Sequence, residues 1–286
     1  MRAPAEAVPY ARDVTGPDRW PPLPYEDWLP TKQTVHRYTQ MVGKVRMALV
    51  PFRNHWWHVT LYVTARGLST GPMPAGDREA EIAFDLVDHR LVVTTSDGGH
   101  RALDLTRRPA CADVYADLFA ALDDLGDSPP FDEDREHRDY DPDAVHRWWR
   151  VLAMTQRVLD RFRGRFAGKA SPVHLFWHGF DLAHARYSGR PAPVPEGADP
   201  VGAEAYSHEV VAFGFWPGDD RLTPYPAFYS YTSPEPDGLR DHPPPRTRPP
   251  PDAQAGSGIR SVAGSKPRAG RTPRGSPCIG RSHFAA

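Results

Sequence analysis

Helical periodicity marks three segments of the chain. Apolar residues recur every three or four positions over residues 31–49, 111–125 and 142–166, as on the buried face of a helix. The first segment follows Pro30, and Asp141-Pro142 places a cap residue and a first-turn proline before the third. The pattern therefore predicts three main helices, beginning near Thr31, Cys111 and Pro142.

Alternating apolar and polar positions predict a set of short strands. Residues 80–87, 91–95 and 102–105 are separated by the turn sequences Asp88-His89 and Asp97-Gly98-Gly99, which is typical of an antiparallel meander. Further strands are predicted over residues 56–65, 172–178, 207–215 and 227–232. The predicted fold is α+β, with antiparallel strands packed against about three main helices in a single domain.

Composition divides the chain into three parts. Residues 1–22 are rich in proline, alanine and charge and are predicted to be disordered, and residues 23–241 form the single predicted domain. Residues 242–286 contain nine prolines, six glycines and one aromatic residue, too little apolar surface to offset chain entropy. A disordered tail is predicted there. The alternative is a frame-shifted C-terminus, because out-of-frame reading of GC-rich DNA yields such a composition.

Charge and cysteine content narrow the class of protein. The formal net charge is -1, but the last 45 residues carry eight basic residues and one acidic residue, which leaves 27 basic against 35 acidic before them. The body is therefore acidic, and nucleic acid is not an expected partner. The chain has only two cysteines and no apolar run of signal-peptide length, so a cytoplasmic protein is predicted. It also has no apolar window of about 20 residues, so no membrane partner is predicted.

Histidines are concentrated near aromatic residues, but their spacing does not predict a local metal site. In a strand, His55 and His58 would lie about 10 Å apart on opposite faces, and His174 and His178 would lie about 13 Å apart. Zinc–ligand bonds are about 2 Å long, so neither pair can chelate one ion. A site assembled across strands from His58, His174 and His208 with Glu209 or Asp181 remains the alternative. No metal is predicted, and the sequence identifies no cofactor.

Motifs for nucleophilic catalysis are also weak. Gly67-Leu68-Ser69-Thr70-Gly71 matches the pattern of a nucleophile elbow, in which the serine lies between a strand and a helix. Pro72 and Pro74 follow at once and exclude that helix. A polar loop is predicted here.

Three strand regions each place a histidine or a carboxylate among aromatic residues, at residues 55–58, 174–181 and 207–216. If the three regions adjoin, they line an aromatic pocket with an acid/base pair and an arginine, as in many small-molecule sites. The candidate catalytic residues are His58, His208, Glu209 and Asp181. The candidate ligand-binding residues are His55, Trp57, His174, Arg186 and Arg190, where the arginines would hold a carboxylate or phosphate.

Several segments resemble the bacterial family catalogued as domain of unknown function 5996. They are residues 29–50, with 38–46 inside them, and residues 54–68, 83–91, 130–134, 168–190 and 205–218. The resemblance covers roughly residues 20–240. It implies a cytosolic bacterial protein with one family-wide domain and supplies no established activity, cofactor or catalytic residue.

Two hypotheses for function follow. In the first, the protein binds a small, possibly anionic ligand in the aromatic pocket, with catalysis unproven. In the second, it is a non-catalytic structural or protein-interaction module, and its Trp- and His-rich strands are a core ordered by a polar network. The sequence decides neither whether the protein is an enzyme nor its oligomeric state.

Overall fold

The structure is a computed structural model that describes residues 20–122, 134–194, 197–219, 223–241 and 260–263. The predicted disordered termini, residues 1–22 and 242–286, therefore lie almost wholly outside the described residues. Within the described part, no helix is long and apolar enough to cross a membrane.

Three long helices lie in the predicted places. They are α1 (Tyr25–Leu49), α2 (Cys111–Leu122) and α3 (Pro142–Arg163). Helix α3 begins as predicted, because the Asp141 side chain accepts a hydrogen bond from the Asp143 backbone N–H. Helix α1 begins six residues earlier than predicted, so Pro30 lies inside it rather than at its start.

The N-terminal half of the chain forms an antiparallel sheet. Its strands are β1 (Tyr62–Val63), β2 (Gly67–Ser69), β3 (Met73–Ala75), β4 (Arg78–Asp85), β5 (Arg90–Thr95) and β6 (His100–Asp104). The strand order is β1-β2-β4-β5-β6, and β3 also pairs with β4. The predicted meander is confirmed as β4, β5 and β6. Ser69 lies in β2 and donates to Glu81, so it is not a nucleophile elbow.

The C-terminal half forms a second sheet in the order β11-β10-β9-β8-β7. Its strands are β7 (His174–Phe176), β8 (Asp181–Pro191), β9 (His208–Trp216), β10 (Ala227–Ser233) and β11 (Arg260–Ala263), with the short helix α4 (Pro200–Ala205) before β9. All pairs are antiparallel except β10 with β11. The chain is thus α+β, as predicted.

Strand β8, the longest in this sheet, was not predicted. Its residues alternate between one set that includes His184 and Arg186 and another that includes Ala183 and Ala185. Neither set is made up of large apolar residues, so the sequence of β8 does not show the alternation of apolar and polar residues that predicts a strand. Ala183 is buried on one face, and His184 is fully buried on the other.

Backbone hydrogen bonds between two leucines join the two sheets. Leu61, just before β1, and Leu175 of β7 exchange two backbone hydrogen bonds of 2.9 and 2.7 Å. Both side chains are fully buried. The segment that precedes β1 is therefore attached directly to the second sheet.

Helices α1 and α3 are joined to the second sheet by a stack of aromatic rings. Trp28 of α1 stacks on Trp148 of α3 at 6.0 Å between ring centres, and Trp148 stacks on Phe180 at 4.8 Å. Phe180 lies in the turn between β7 and β8 and also stacks on His36 of α1 at 4.7 Å. Trp28, Trp148 and Phe180 are buried. The β7–β8 turn is therefore positioned by rings from both helices.

Gly43 in α1 provides the space for the indole of Trp177, which precedes this turn. A Cβ atom at residue 43 would overlap the Trp177 ring. We expect Gly43→Ala to lower the free energy of unfolding by about 1–3 kcal/mol, the usual range for an overpacked contact, although alanine favours helix formation. Urea unfolding of both proteins measures the difference.

Gly164→Ala is the matched control. Gly164 has helical backbone angles, and a Cβ atom there would have its nearest neighbour at 3.5 Å. The same substitution should be neutral or slightly stabilising at this position. Equal effects at the two glycines would contradict the packing role of Gly43.

Candidate functional site

Residues 56–65 do not form the single strand that was predicted. Residues Asn54–Trp56 form one turn of 3-10 helix, and His55 and Trp56 have φ angles of 57° and 60°. Such left-handed backbone costs roughly 1–2 kcal/mol for each residue that is not glycine. The strand shrinks to Tyr62–Val63. The predicted separation of His55 and His58 on opposite faces of a strand is therefore wrong, because no strand exists there.

Contacts with α4 hold His55 in this conformation. The His55 backbone N–H donates to Glu204 Oε1 at 2.7 Å. The ring Nδ1 lies 3.3 Å from the backbone carbonyl oxygen of Glu204 and must be the donor, since a carbonyl only accepts. A single residue of α4 thus fixes both the backbone and the ring tautomer of His55.

The opposite nitrogen of the ring meets Lys169. Lys169 Nζ lies 2.7 Å from His55 Nε2, which accepts from the ammonium because Nδ1 carries the ring proton. The same ammonium lies 5.1 Å from the centre of the Tyr187 ring and 5.7 Å from that of Trp57. Lys169 is exposed, so these contacts hold a surface cation against two aromatic faces.

Tyr187 and His208 complete the surroundings of His55. The His55 ring stacks on Tyr187 of β8 at 4.3 Å, and His208 of β9 approaches its edge at 5.4 Å. The Ser207 hydroxyl donates to the Glu204 carbonyl and lies 3.0 Å from His208 Nδ1. The hydroxyl therefore accepts from Nδ1–H of His208. We call these six residues the His55 cluster: His55, Trp57, Lys169, Tyr187, Glu204 and His208.

Electrostatics keep His55 neutral. Burial lowers its pKa most, the nearby Lys169 ammonium lowers it further, and the Glu204 carbonyl and carboxylate oppose this shift. Burial also raises the pKa of the Tyr187 hydroxyl to about 12. The His55 cluster thus places a lysine and a glutamate beside a neutral His55 ring.

Of the nine predicted site residues, three lie in the His55 cluster. They are His55, Trp57 and His208. His174 adjoins it, because its ring lies 6.4 Å from that of Trp57, but it is 1% exposed and bonds to the Thr60 hydroxyl at 3.0 Å. Burial lowers its pKa to about 3. His174 is therefore a neutral core residue.

His58 lies outside the cluster. Its Nδ1 accepts from the Arg53 backbone N–H at 3.3 Å, and its ring lies between Trp56 at 5.3 Å and Phe52 at 5.1 Å. Burial lowers its pKa. The predicted grouping of His58 with His174, Asp181 and His208 around one cavity does not occur, because the turn at residues 54–56 directs His58 toward Phe52.

The remaining four predicted residues bond to partners elsewhere. Asp181 accepts a hydrogen bond from the Tyr229 hydroxyl. The Arg186 guanidinium lies 3.4 Å from the centre of the Phe162 ring and donates to the Phe162 carbonyl. Neither group faces the His55 cluster.

Arg190 and Glu209 form an exposed ion pair at 2.7 Å. Ser188 donates to the same carboxylate oxygen. Neither Arg186 nor Arg190 is thus positioned as an anion clamp for the cluster, because each already binds a neighbour within the second sheet or α3.

Three members of the cluster were not predicted: Lys169, Tyr187 and Glu204. Lys169 and Tyr187 fall inside the segment that resembles the known family, but nothing in their spacing marks them. His55 is 114 residues from Lys169 and 149 from Glu204 along the chain. Only the second sheet, which pairs the later part of β8 with the start of β9 just after α4, could have indicated the contacts.

A cavity of about 160 Å³ lies elsewhere, between β5, β6 and α2. Its lining is mostly apolar and includes Leu91, Leu103 and Leu118. It shares no residue with the His55 cluster. Among the described residues, no group of three or more His, Cys, Asp or Glu side chains is arranged to hold a metal ion.

Because His174 stays neutral in the folded protein down to about pH 3, it makes stability depend on pH. Below pH 6.5 the unfolded chain takes up a proton that the folded chain does not. The free energy of unfolding should therefore fall by up to roughly 1.4 kcal/mol per pH unit from this residue. Urea unfolding between pH 7 and 5 should show a shallower slope for His174→Asn than for the native protein.

His100→Asn, at an exposed position, is the control and should keep the native slope. Other buried histidines contribute equally to both proteins, so the difference in slope isolates residue 174. Parallel slopes for His174→Asn and the native protein would show that residue 174 is protonated in the fold.

Comparison with known proteins identifies the family alone. No curated protein and no solved structure matches the chain. The sequence model of the family of unknown function DUF5996 matches residues 20–249, a range that includes every residue of the His55 cluster. A match over this much of the chain confirms the resemblance noted in the sequence, and the chain belongs to the family of unknown function DUF5996.

Proposed function

We propose that the protein binds a small anionic ligand through the Lys169 ammonium in the His55 cluster. The observation that carries the proposal is the environment of this ammonium. It is held at 2.7 Å from a neutral imidazole and against two aromatic rings, and it forms no ion pair among the described residues. No reaction is assigned to the site.

Charge favours an anion over other ligands. The nearest carboxylate of the cluster, Glu204, is engaged with the His55 backbone N–H. One hydrogen bond from Lys169 goes to His55, which leaves two N–H groups of the ammonium for a ligand. Hydrogen bonds from an ammonium to a carboxylate or phosphate are among the stronger ones in proteins.

The neighbouring sheet supports an organic ligand rather than a bare ion. Antiparallel partners share a face, so Ala185 of β8, Ala212 of β9 and Tyr231 of β10 lie side by side. Tyr187, two residues after Ala185, lies on the same face. On this face Ala212 is buried and Ala185 is partly exposed, and the half-buried Trp57 ring lies 5.9 Å from that of Tyr187. A flat or aliphatic body could lie there while its anionic group reaches Lys169.

The second hypothesis, a structural module, is favoured for the other predicted residues. His174, Asp181 and Arg186 each bond to a partner inside the fold. These contacts match a polar network that orders an aromatic core. We therefore confine the proposed ligand site to the His55 cluster.

Calorimetric titration with acetate, benzoate, phosphate and phenyl phosphate at constant ionic strength tests the proposal. We expect at least one of these anions to bind, and Lys169→Met to weaken its binding tenfold or more. The loss corresponds to a charge-assisted hydrogen bond of roughly 1.5–3 kcal/mol. Lys169→Arg should retain part of the affinity, because it keeps the charge but changes the geometry.

Arg165→Gln is the matched control for charge. Arg165 is also exposed and precedes Lys169 by four residues, but its side chain is not part of the cluster. This variant should bind as the native protein does. Equal losses for Lys169→Met and Arg165→Gln would indicate a general effect of net charge, and no binding by any of the four anions would leave the structural module as the better hypothesis.

A further inference from the structure

The hydrogen bond between Lys169 and His55 depends on the protonation state of the imidazole. Nε2 can accept from the ammonium only while His55 is neutral, because a protonated ring has no free lone pair. Nδ1 donates to the Glu204 carbonyl in either state. Protonation would therefore change one end of the ring from acceptor to donor and leave the other end in place.

We propose that an anion binds between Lys169 and His55 and that His55 takes up a proton when it does. In the free protein, Nε2 accepts from the ammonium. In the complex, Nζ and Nε2–H would both donate to the anion. The anion would therefore replace the hydrogen bond that joins Lys169 and His55 in the free protein. This inference rests on the proposed anion site and adds proton uptake to it.

The mobility of the two partners suits this exchange. Once Nε2 carries a proton, two N–H donors face each other, so the nitrogens must move apart from their present 2.7 Å to admit an anion oxygen. Lys169 is exposed and has a flexible stem, whereas His55 is 3% exposed and stacked on Tyr187. Lys169 is therefore the group that moves, and His55 keeps its position.

The charged and titratable groups around His55 determine the sign of the coupling. They come from four elements: Lys169 from the segment before β7, Tyr187 from β8, Glu204 from α4 and His208 from β9. Lys169 and His208 oppose a positive charge on His55, and Glu204 favours it. An anion placed between Lys169 and His55 offsets the repulsion by the ammonium. Its binding must then raise the pKa of His55, which burial and Lys169 lower in the free protein.

Thermodynamic linkage makes the effect reciprocal. If protonation of His55 strengthens anion binding tenfold, anion binding raises the pKa of His55 by about one unit. The ligand should therefore bind more tightly as the pH falls through the pKa of His55 in the complex. Ligand release would accompany a rise in pH.

Sulfate is the probe for this test, because it stays dianionic throughout the titration of an imidazole. The ring ¹⁵N shifts of His55 in the full chain, followed by NMR against pH, report its pKa in sulfate and in chloride at equal ionic strength. We expect sulfate to raise the pKa of His55 by about one unit. His100, an exposed histidine on β6, serves as an internal reference for general salt effects.

Two variants make the test specific. Lys169→Met should raise the pKa of His55 in chloride, because the repulsion is removed, and should abolish the response to sulfate. Arg165→Gln should respond as the native protein does. A pKa of His55 that ignores sulfate, or that moves no more than that of His100, overturns the coupling.

The failure of the coupling and the failure of the anion site are distinguishable. If sulfate shifts the signals of Lys169 and Trp57 while the His55 pKa stays constant, an anion binds without proton uptake, and only the coupling is overturned. If sulfate changes none of the three residues, both the coupling and sulfate binding at this site are overturned.

Discussion

The ring stack that joins α1, α3 and the β7–β8 turn is the contact on which the other features depend. Phe180 lies between Trp148 of α3 and His36 of α1, and its own φ angle of 57° is left-handed. His36 must be neutral to pack there. Burial lowers its pKa to about 4, and its Nε2 donates to the Trp177 carbonyl at 2.8 Å. Because β8 starts next to Phe180, both helices position this strand. The strand in turn positions Tyr187, six residues after its start, whose ring stacks on His55.

The leucine pair that connects the two sheets also constrains the backbone near His55. Leu61 is bonded to Leu175, and the chain has only a few residues between this bond and the left-handed turn at His55. The turn is thus held at one end by the second sheet and at the other by Glu204. Two strained residues persist because these contacts on both sides determine the backbone. The conformation that presents His55 to Lys169 is a consequence of tertiary contacts rather than of local preference.

The difference between local preference and tertiary contacts explains which features could be predicted from the sequence. Helix α3 and the meander have strong periods, and Asp141-Pro142 is a local cap, so both were predicted close to their observed bounds, whereas α1 begins six residues before its predicted start. Strand β8 was missed because alanine, histidine and arginine alternate in it without an apolar period. The segment from Trp56 onward was interpreted as a strand because Trp, Val, Thr and Tyr favour strands, and no glycine signals the left-handed residues at positions 55 and 56. Three of the nine predicted site residues belong to the His55 cluster. They are His55 and Trp57, which lie in one segment, and His208, which follows α4.

The histidines differ in role because their surroundings differ, although His55 and His174 were both candidate ligand-binding residues in the sequence. His174 is fully enclosed and bonded to a neutral hydroxyl, so protonation there only destabilises the fold. His55 is also buried, but its Nε2 points at an exposed, movable cation. A proton on His55 can therefore be balanced by an anion that enters beside Lys169, whereas a proton on His174 cannot be balanced without unfolding. A buried histidine is therefore a candidate site where an anion can reach it from solvent, and a core residue where none can.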